Sequence, residues 1–502
     1  MVSKVLVANR GEIACRILRA CSEAGIGSVA ICAPNDQGSL FTELADEVVL
    51  LEGESIGETY LDQAQIIAAA QSTGADAIHP GFGFLSERAE FARHVSANGL
   101  IWIGPSPEAI DQMGDKMTAR QTMRAAGVPV IPGEEVEEVD EAKTLEALRE
   151  AAQRVGYPLL LKASSGGGGK GMRAVHDPAD FDQAASAAQR EAIAAFGDGR
   201  IYIERLLTGS KHIEIQVLAD RHGRTIHLGE RECSVQRRHQ KVFEEAPGPT
   251  MTPELRDAMG QAAVAAAQAV DYEGAGTVEF LLAASGEFFF LEMNTRIQVE
   301  HPVTELVTGV DIVREQLRIA NGEPMSCGDL MIRGHAIEVR LYAEDAANNF
   351  LPAIGPLAVF RPPEGPGIRL DTGVREGDDV TPNYDPMLAK LIVWAPSRIE
   401  ALQKMRRALD EFVILGTTTN VEFLRDLCDA QPVIDGSTTT TTIDTLWPKG
   451  WNPPHDLTLE DGSLLVAAGA ETLGLHLQQR VGSQEGVVGP ASPFATLNRR
   501  YP

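Results

Sequence analysis

The stretch from Val278 to Glu300 constrains this chain more than any other. It reads as two strand-like segments flanking Ala284-Ser-Gly-Glu287, and a two-residue turn at Ser285 and Gly286 sets an antiparallel register. In that register Glu279 faces Glu292 directly, so two carboxylates share one face at cross-strand distance. Like charges so placed repel, and a hard divalent cation relieves the repulsion. Mg2+ held by one or two carboxylates plus substrate phosphates is the usual arrangement at nucleotide sites. The second strand then continues at period two, with Glu292, Asn294, Arg296, Gln298 and Glu300 on one side and Met293, Thr295, Ile297 and Val299 between them. A solvated edge strand alternates in the same way, but here the polar set is an ordered series of acid, amide, guanidinium, amide and acid. The series predicts a metal end at Glu292 and Asn294, an anion-binding Arg296 and a base at Glu300. Pro302 is expected to end the extended stretch.

The rest of the chain predicts an α/β, multi-domain (α+β) architecture. Val5 to Ile31 reads as strand, turn, helix and strand. The turn Ala8-Asn-Arg-Gly-Glu-Ile-Ala14 lacks the GxGxxG spacing that lets a backbone approach a pyrophosphate, so a Rossmann-like unit is predicted without NAD. Ala77 to Phe84 reads as a strand end entering a Gly-Pro loop, and Ile101 to Pro105 as another strand. The acidic segment Val130 to Asp140 reads as a surface link into a helix around Lys143 to Val155. Strands are then expected at Tyr157–Lys162, from Met172, and at 201–204, 213–218 and 225–228, with a helical stretch to about Phe196. From Arg333 to Leu446 a further mixed unit carries a helix near Ile399–Glu411 and the threonine run 438–442. The tail from Trp447 to Pro502 is rich in Gly, Pro and Ser, with one helix expected from Leu457 to Gln479.

Two further segments suggest chemistry. The glycine run 166–169 lies between two predicted strands, whereas a Walker loop lies between strand and helix; Ser164 and Gly171 also stand where that motif needs Gly and Ser or Thr. What remains is a flexible backbone rich in N–H donors, flanked by Lys162 and Lys170, suited to closing over a polyphosphate. Glu230 to Lys241 is the densest basic patch of the chain; it reads as a solvated face in isolation and as an anion pocket in company. Cys233, His79 and His301 read as packing residues. A net charge of −27, from 44 Lys plus Arg against 71 Asp plus Glu, repels a phosphate backbone and argues against a nucleic-acid partner. Six cysteines without a CxxC pair suit a reducing compartment. With no leader-like N-terminus and no apolar run near the ~20 residues of a membrane helix, the expectation is a soluble cytoplasmic protein with no membrane contact.

Eight segments in order resemble the biotin carboxylases, the ATP-grasp subunits or domains of biotin-dependent carboxylases. They are Ala8 to Ala14, His79 to Glu87, Met113 to Lys116, Lys162 to Met172, His212 to Asp220, Gln236 to Lys241, Glu292 to Glu305 and Gly334 to Arg340. The likeness runs from about Lys4 to about Leu446. It implies a Rossmann-like N-terminal domain over 1–113 and an ATP-grasp domain over 114–330 with a glycine-rich lid at about 131–204. A C-terminal biotin carboxylase domain follows over 331–446, and the tail 447–502 is expected to dock a partner.

By the same resemblance, Lys116, Lys162, Gly168, Gly169, His212, Gln236 and His239 contact ATP, and Glu204, Arg205, Leu206 and Leu207 form the adenine-side hinge. Glu279, Glu292 and Asn294 hold Mg2+ or Mn2+. Bicarbonate sits between Lys241, Arg296, Gln298 and the backbone of Val299; Glu300 removes its proton, and Arg340 faces the biotin ureido oxygen. Phe82 stands where the family usually has Tyr, and Arg205 where the hinge often has Lys. No Met-Lys-Met biotinylation site is visible, so biotin is expected on a separate biotin carboxyl carrier protein, alongside a carboxyltransferase subunit. Family members are often homodimers. The final carboxyl acceptor is not written in these residues.

Overall fold

The computed structural model describes residues 1–136, 141–163, 172–196, 199–238, 240–328 and 331–453. Residues Met1–Asn452 form one unit; of the second, Pro453–Pro502, all but the first residue fall outside the described set, as do the expected helix 457–479 and most of the tail. The expected βαβ opening is present as β1 (Lys4–Val7), α1 (Gly11–Ala24) and β2 (Gly27–Cys32). Gly25 closes α1 at φ 70°, donating its N–H to Cys21 and Ser22 carbonyls, the left-handed position that glycine fills without strain. With β3 (Glu47–Leu50), β4 (Ala77–His79) and β5 (Ile101–Trp102) these strands make a parallel sheet of order β3-β2-β1-β4-β5. The apolar runs of its inner strands β1 and β2 are buried and suit strands covered on both faces. One face packs with α1 and Ile297 in a shared apolar core.

A four-stranded sheet follows, built from β6 (Gly133–Val136), β7 (Leu159–Ala163), β8 (Met172–Val175) and β9 (Ile201–Arg205) in the order β6-β9-β7-β8, and covered by helices α2 (Glu141–Val155) and α3 (Phe181–Phe196). The expected surface link at Val130–Asp140 is corrected in part: Gly133–Val136 pairs antiparallel with Ile201–Glu204 as an edge strand. Its two glutamates disguise it, and charges on an edge are what keep such an edge from pairing further.

The third sheet carries the site. It has eight strands: β10 (Lys211–Ala219), β11 (Thr225–Arg237), β12 (Gln240–Ala246), β13 (Gly274–Leu282), β14 (Phe288–Asn294), β15 (His335–Tyr342), β16 (Ile368–Thr372) and β17 (Met387–Ala395). Their order is β14-β13-β10-β11-β12-β15-β17-β16, so one continuous ladder runs from the glutamate hairpin to the segment after Pro386. The strand expected at 225–228 extends to Arg237, through the charged run expected as a solvated face; Glu230, Arg231 and Glu232 are instead buried and paired with Arg256, Glu214 and Lys211 from other elements. Helix α4 (His301–Thr308) packs on this sheet. All six cysteines are buried and unpaired. Among the described residues, no helix is long and apolar enough to cross a membrane.

Candidate active site

Register assembles the charged groups. Arg231 on β11 pairs with Glu214 on β10, Glu214 with Glu279 on β13, and Glu279 with Glu292 on β14, so one cation and three carboxylates form a row across four strands. Directly paired residues share a face. The Glu279–Glu292 pairing is as expected, but the route to it is not. The turn is a three-residue loop, Ala284–Gly286, closed by the Ala283 N–H on Glu287 O (2.8 Å), with Gly286 at φ 88°. It sets Leu282 opposite Phe288 and Phe280 opposite Phe290, one residue out of the expected register. A bulge then leaves Leu291 unpaired and restores it, because a bulge sets two residues against one.

The period-two strand stops at Asn294. Thr295 to Val299 leave the ladder, and Pro302 does not end a strand but lies in the first turn of α4, where its missing N–H costs nothing. Glu300 occupies the N-cap position, in the positive field of the helix start. The alternating residues nevertheless converge. Glu279 Oε1 accepts from Lys241 (3.0 Å), Asn294 (2.8 Å) and Gln298 (2.8 Å). Arg296 donates to Asn294 Oδ1 (2.9 Å) and to Glu87 (3.0 Å), the last residue of the His79–Glu87 motif. That loop is itself fixed by Asn9, whose amide donates to the carbonyls of Pro80 and Phe82, each at 2.7 Å.

Lys241 is the hub. Its ammonium contacts Glu214, lies 3.0 Å from Glu279 and 2.8 Å from Glu300. Burial opposes its charge, but the three carboxylates hold its pKa well above the ordinary lysine value. Glu300 also accepts from Arg340 Nη2 (3.1 Å), and Arg340 Nε donates to Glu244 (2.6 Å). Burial and Glu214 push the Glu300 carboxyl upward; Lys241, Arg340 and Arg231 outweigh them and keep it below the usual range, hence ionised. His212 Nε2 sits 2.8 Å from Glu279. Despite burial, Glu279 and Glu214 raise its pKa to about 9, so it is a cation at neutral pH.

This donor set fits a hard divalent cation. Glu279, Glu292 and Asn294 each offer a side-chain oxygen, and the Glu292 carboxyl is raised chiefly by the Glu279 charge, a repulsion that a divalent cation between them would relieve. His212, Glu214 and Glu279 also bring ligand atoms within 4.8 Å of one another. Cys233, grouped with Glu214 and Glu300, is kept a thiol by burial.

Of the residues expected at a nucleotide, Lys162 pairs with Glu204, which also takes Arg120 Nη1 at 3.3 Å. Gln236 contacts His212 Nδ1 at 2.9 Å. Lys116 lies close enough to Glu292 to stabilise its charge. Arg205 stacks over Phe289 at 5.1 Å, and Leu206 N–H binds Pro158 O at 2.9 Å. Gly168, Gly169 and His239 fall outside the described residues.

Sequence reasoning missed four residues that build the site. Fully buried Arg231 binds Glu214, Gln216, Thr277, Gln298 and Thr304 and thereby sets Gln298. Glu214 anchors Lys241, and Glu244 anchors Arg340. Lys390 is fully buried and donates to Val299 O at 2.8 Å. The alternation of His212, Glu214 and Gln216 was a usable signal; Lys390 left none.

Three family models match the chain: "Biotin carboxylase, N-terminal domain" over residues 1–110, "Carbamoyl-phosphate synthase L chain, ATP binding domain" over 115–327, and "Biotin carboxylase C-terminal domain" over 338–445. A biotin carboxylase of Nostoc sp. is 50% identical over 442 residues, 88% of this chain and 98% of the relative. The mitochondrial methylcrotonoyl-CoA carboxylase subunit alpha of Oryza sativa is 52% identical over 85% of this chain, which spans only 58% of that relative. The biotin carboxylase domain dimer of Hydrogenobacter thermophilus 2-oxoglutarate carboxylase, solved with MgADP, ADP and bicarbonate, superposes with a TM-score of 0.82 at 44% identity, covering 89% of this chain and 98% of that one.

Proposed function

The chain belongs to the biotin carboxylase family of ATP-grasp ligases, and we propose that the Lys241–Glu300–Arg340 constellation performs its first half-reaction, the ATP- and bicarbonate-dependent carboxylation of biotin. The observation that carries this reading is an ionised carboxylate held between two cations, Lys241 at 2.8 Å and Arg340 at 3.1 Å, at the N-terminus of a helix. In this reading bicarbonate binds between Lys241, Arg296, Gln298 and the Val299 N–H, and Glu300 accepts its proton. Bicarbonate is a poor nucleophile, and losing that proton arms its oxygen for attack on the γ-phosphate of ATP. Lys116, Lys162 and cationic His212 face the phosphates. When bound at Glu279, Glu292 and Asn294, Mg2+ or Mn2+ supplies positive charge to those phosphates.

Carboxyphosphate, formed as ADP leaves, splits into CO2 and phosphate beside biotin; the phosphate takes the N1′ proton while Arg340 turns its fork to the ureido oxygen, and N1′ then bonds to the carbon of CO2. Arg340 leaving Glu300 would raise the proton affinity of Glu300 by removing one of the cations that depress it, so the base strengthens as biotin arrives. We assign the domains as 1–113, 114–330 with a lid at about 131–204, and 331–446. Biotin arrives on a carrier protein, with a carboxyltransferase completing the complex and a second copy of this chain as dimer partner. The test is ADP release from purified protein with ATP, Mg2+, bicarbonate and free biotin. Release that needs neither bicarbonate nor biotin would refute the reading.

A further inference from the structure

Behind Arg340 lies a second carboxyl group that the reaction leaves unused. Glu338 on β15 pairs directly with Glu244 on β12, and Arg340, two residues on, shares their face. Both glutamates are 0% exposed. Glu244 Oε1 accepts from Arg340, but Glu244 Oε2 and both oxygens of Glu338 make no hydrogen bond to protein. The neighbouring cations are occupied. Lys390 donates to Val299 O at 2.8 Å and lies 3.1 Å from Glu12 and 3.7 Å from Asp371; Arg340 spends Nε on Glu244 and Nη2 on Glu300. Two ionised carboxylates opposed in this way would be buried like charges, one of them without any donor, which a protein core does not sustain. Other titratable or charged groups that act on the pair are Lys241 on β12, Cys233 on β11 and Glu300 at the start of α4. Burial raises both carboxyls, Glu244 to about 7 and Glu338 well above the carboxylate range.

We propose that Glu338 is a protonated positioning residue: its O–H donates to Glu244 Oε2, and this acid–carboxylate pair holds the Arg340 guanidinium on its face. The inference rests on the reading of Arg340 as the biotin-facing group. A neutral Glu338 leaves the single charge of Glu244 for Arg340 and satisfies the oxygen that would otherwise let that carboxylate turn away. Loss of the donor frees Arg340 without touching the nucleotide.

Two measurements test this. Infrared difference spectroscopy of wild-type protein near pH 8, exchanged between H2O and D2O, should show a protonated-carboxyl C=O stretch that is missing in Glu338→Gln; its absence from wild type overturns the proposal whether or not any variant folds. In steady-state kinetics Glu338→Leu should lower biotin-dependent kcat by about tenfold or more and leave KM for ATP unchanged. Glu338→Gln, whose amide N–H stands in for the acid proton, should recover most of the loss. Equal loss in both variants, or a parallel rise in KM for ATP, also overturns it. Wild-type protein that shows the carboxyl band but no biotin-dependent turnover would instead refute the reading of the reaction and leave the pair standing.

Discussion

Replacing Glu300 with Gln separates chemistry from nucleotide binding. Glu300 touches Lys241 at 2.8 Å and Arg340 at 3.1 Å. The amide is nearly isosteric but cannot accept a proton from bicarbonate. Removing a positioned general base costs about a hundredfold to ten-thousandfold, or roughly 3–5 kcal/mol of activation free energy at about 1.4 kcal/mol per decade. The amide also turns an N–H toward one of the two cations, which loses one of its carboxylate partners, a folding cost of about 1–3 kcal/mol. The measurements therefore belong well below the melting temperature. Calorimetric titration should find the ATP Kd within about twofold of wild type, while bicarbonate- and biotin-dependent ADP release falls by at least about a hundredfold. Equal loss of ATP affinity and turnover would show that Glu300 supports the nucleotide pocket and is not the base.

Arg231→Met should raise KM for bicarbonate, because Gln298 loses the donor that fixes its Oε1 (2.8 Å). It should also destabilise the fold by about 1–3 kcal/mol, because buried Gln216, Thr277 and Thr304 lose a donor and Glu214 loses one of its cations. Arg231→Lys should not rescue it, since an ammonium cannot span five acceptors from one plane, and full rescue in denaturation and kinetics would count against this account. Gly373→Ala should cost about 1–3 kcal/mol, because a Cβ there would stand 2.5 Å from Glu12 N and 2.6 Å from Gly11 C; an unchanged urea midpoint would refute the close approach. Buried His79, lowered by desolvation to about 4, is neutral in the fold and charges near pH 6.5 when unfolded. The unfolded chain therefore binds the extra proton, and stability fully present above about pH 6.5 drains away toward pH 4, by up to about 3 kcal/mol. His79→Gln should flatten that slope in urea titrations between pH 7 and 5, and parallel slopes would exclude His79 as the cause.

The residues that write themselves into period and composition were legible. The βαβ opening, the helix after Ser397 and the Glu279–Glu292 opposition follow from local pattern. What was illegible depended on partners far along the chain. Glu230 to Arg237 looks like a solvated face because the groups that pair with its charges come from other parts of the chain: Glu214 for Arg231, Lys211 and Thr438 for Glu232, Arg256 for Glu230. Lys390 could not be read at all, since its acceptors lie on the first helix, on a neighbouring strand and at Val299. The run after Asn294 misled differently: its alternation is real, but it serves a turn and a helix cap that period two cannot distinguish from a strand.

The unpaired Leu291 has an evolutionary reading. A hairpin tip normally transmits every gain or loss of a residue to all the side chains behind it, flipping each to the opposite face. Here the offset set by the three-residue loop is cancelled at Leu291, one position short of Glu292. Sequences can thus lengthen or shorten the 283–287 tip and resettle the slack at 291, while the two carboxylates stay opposed. A change of one residue at the tip need not turn Glu279 and Glu292 away from each other.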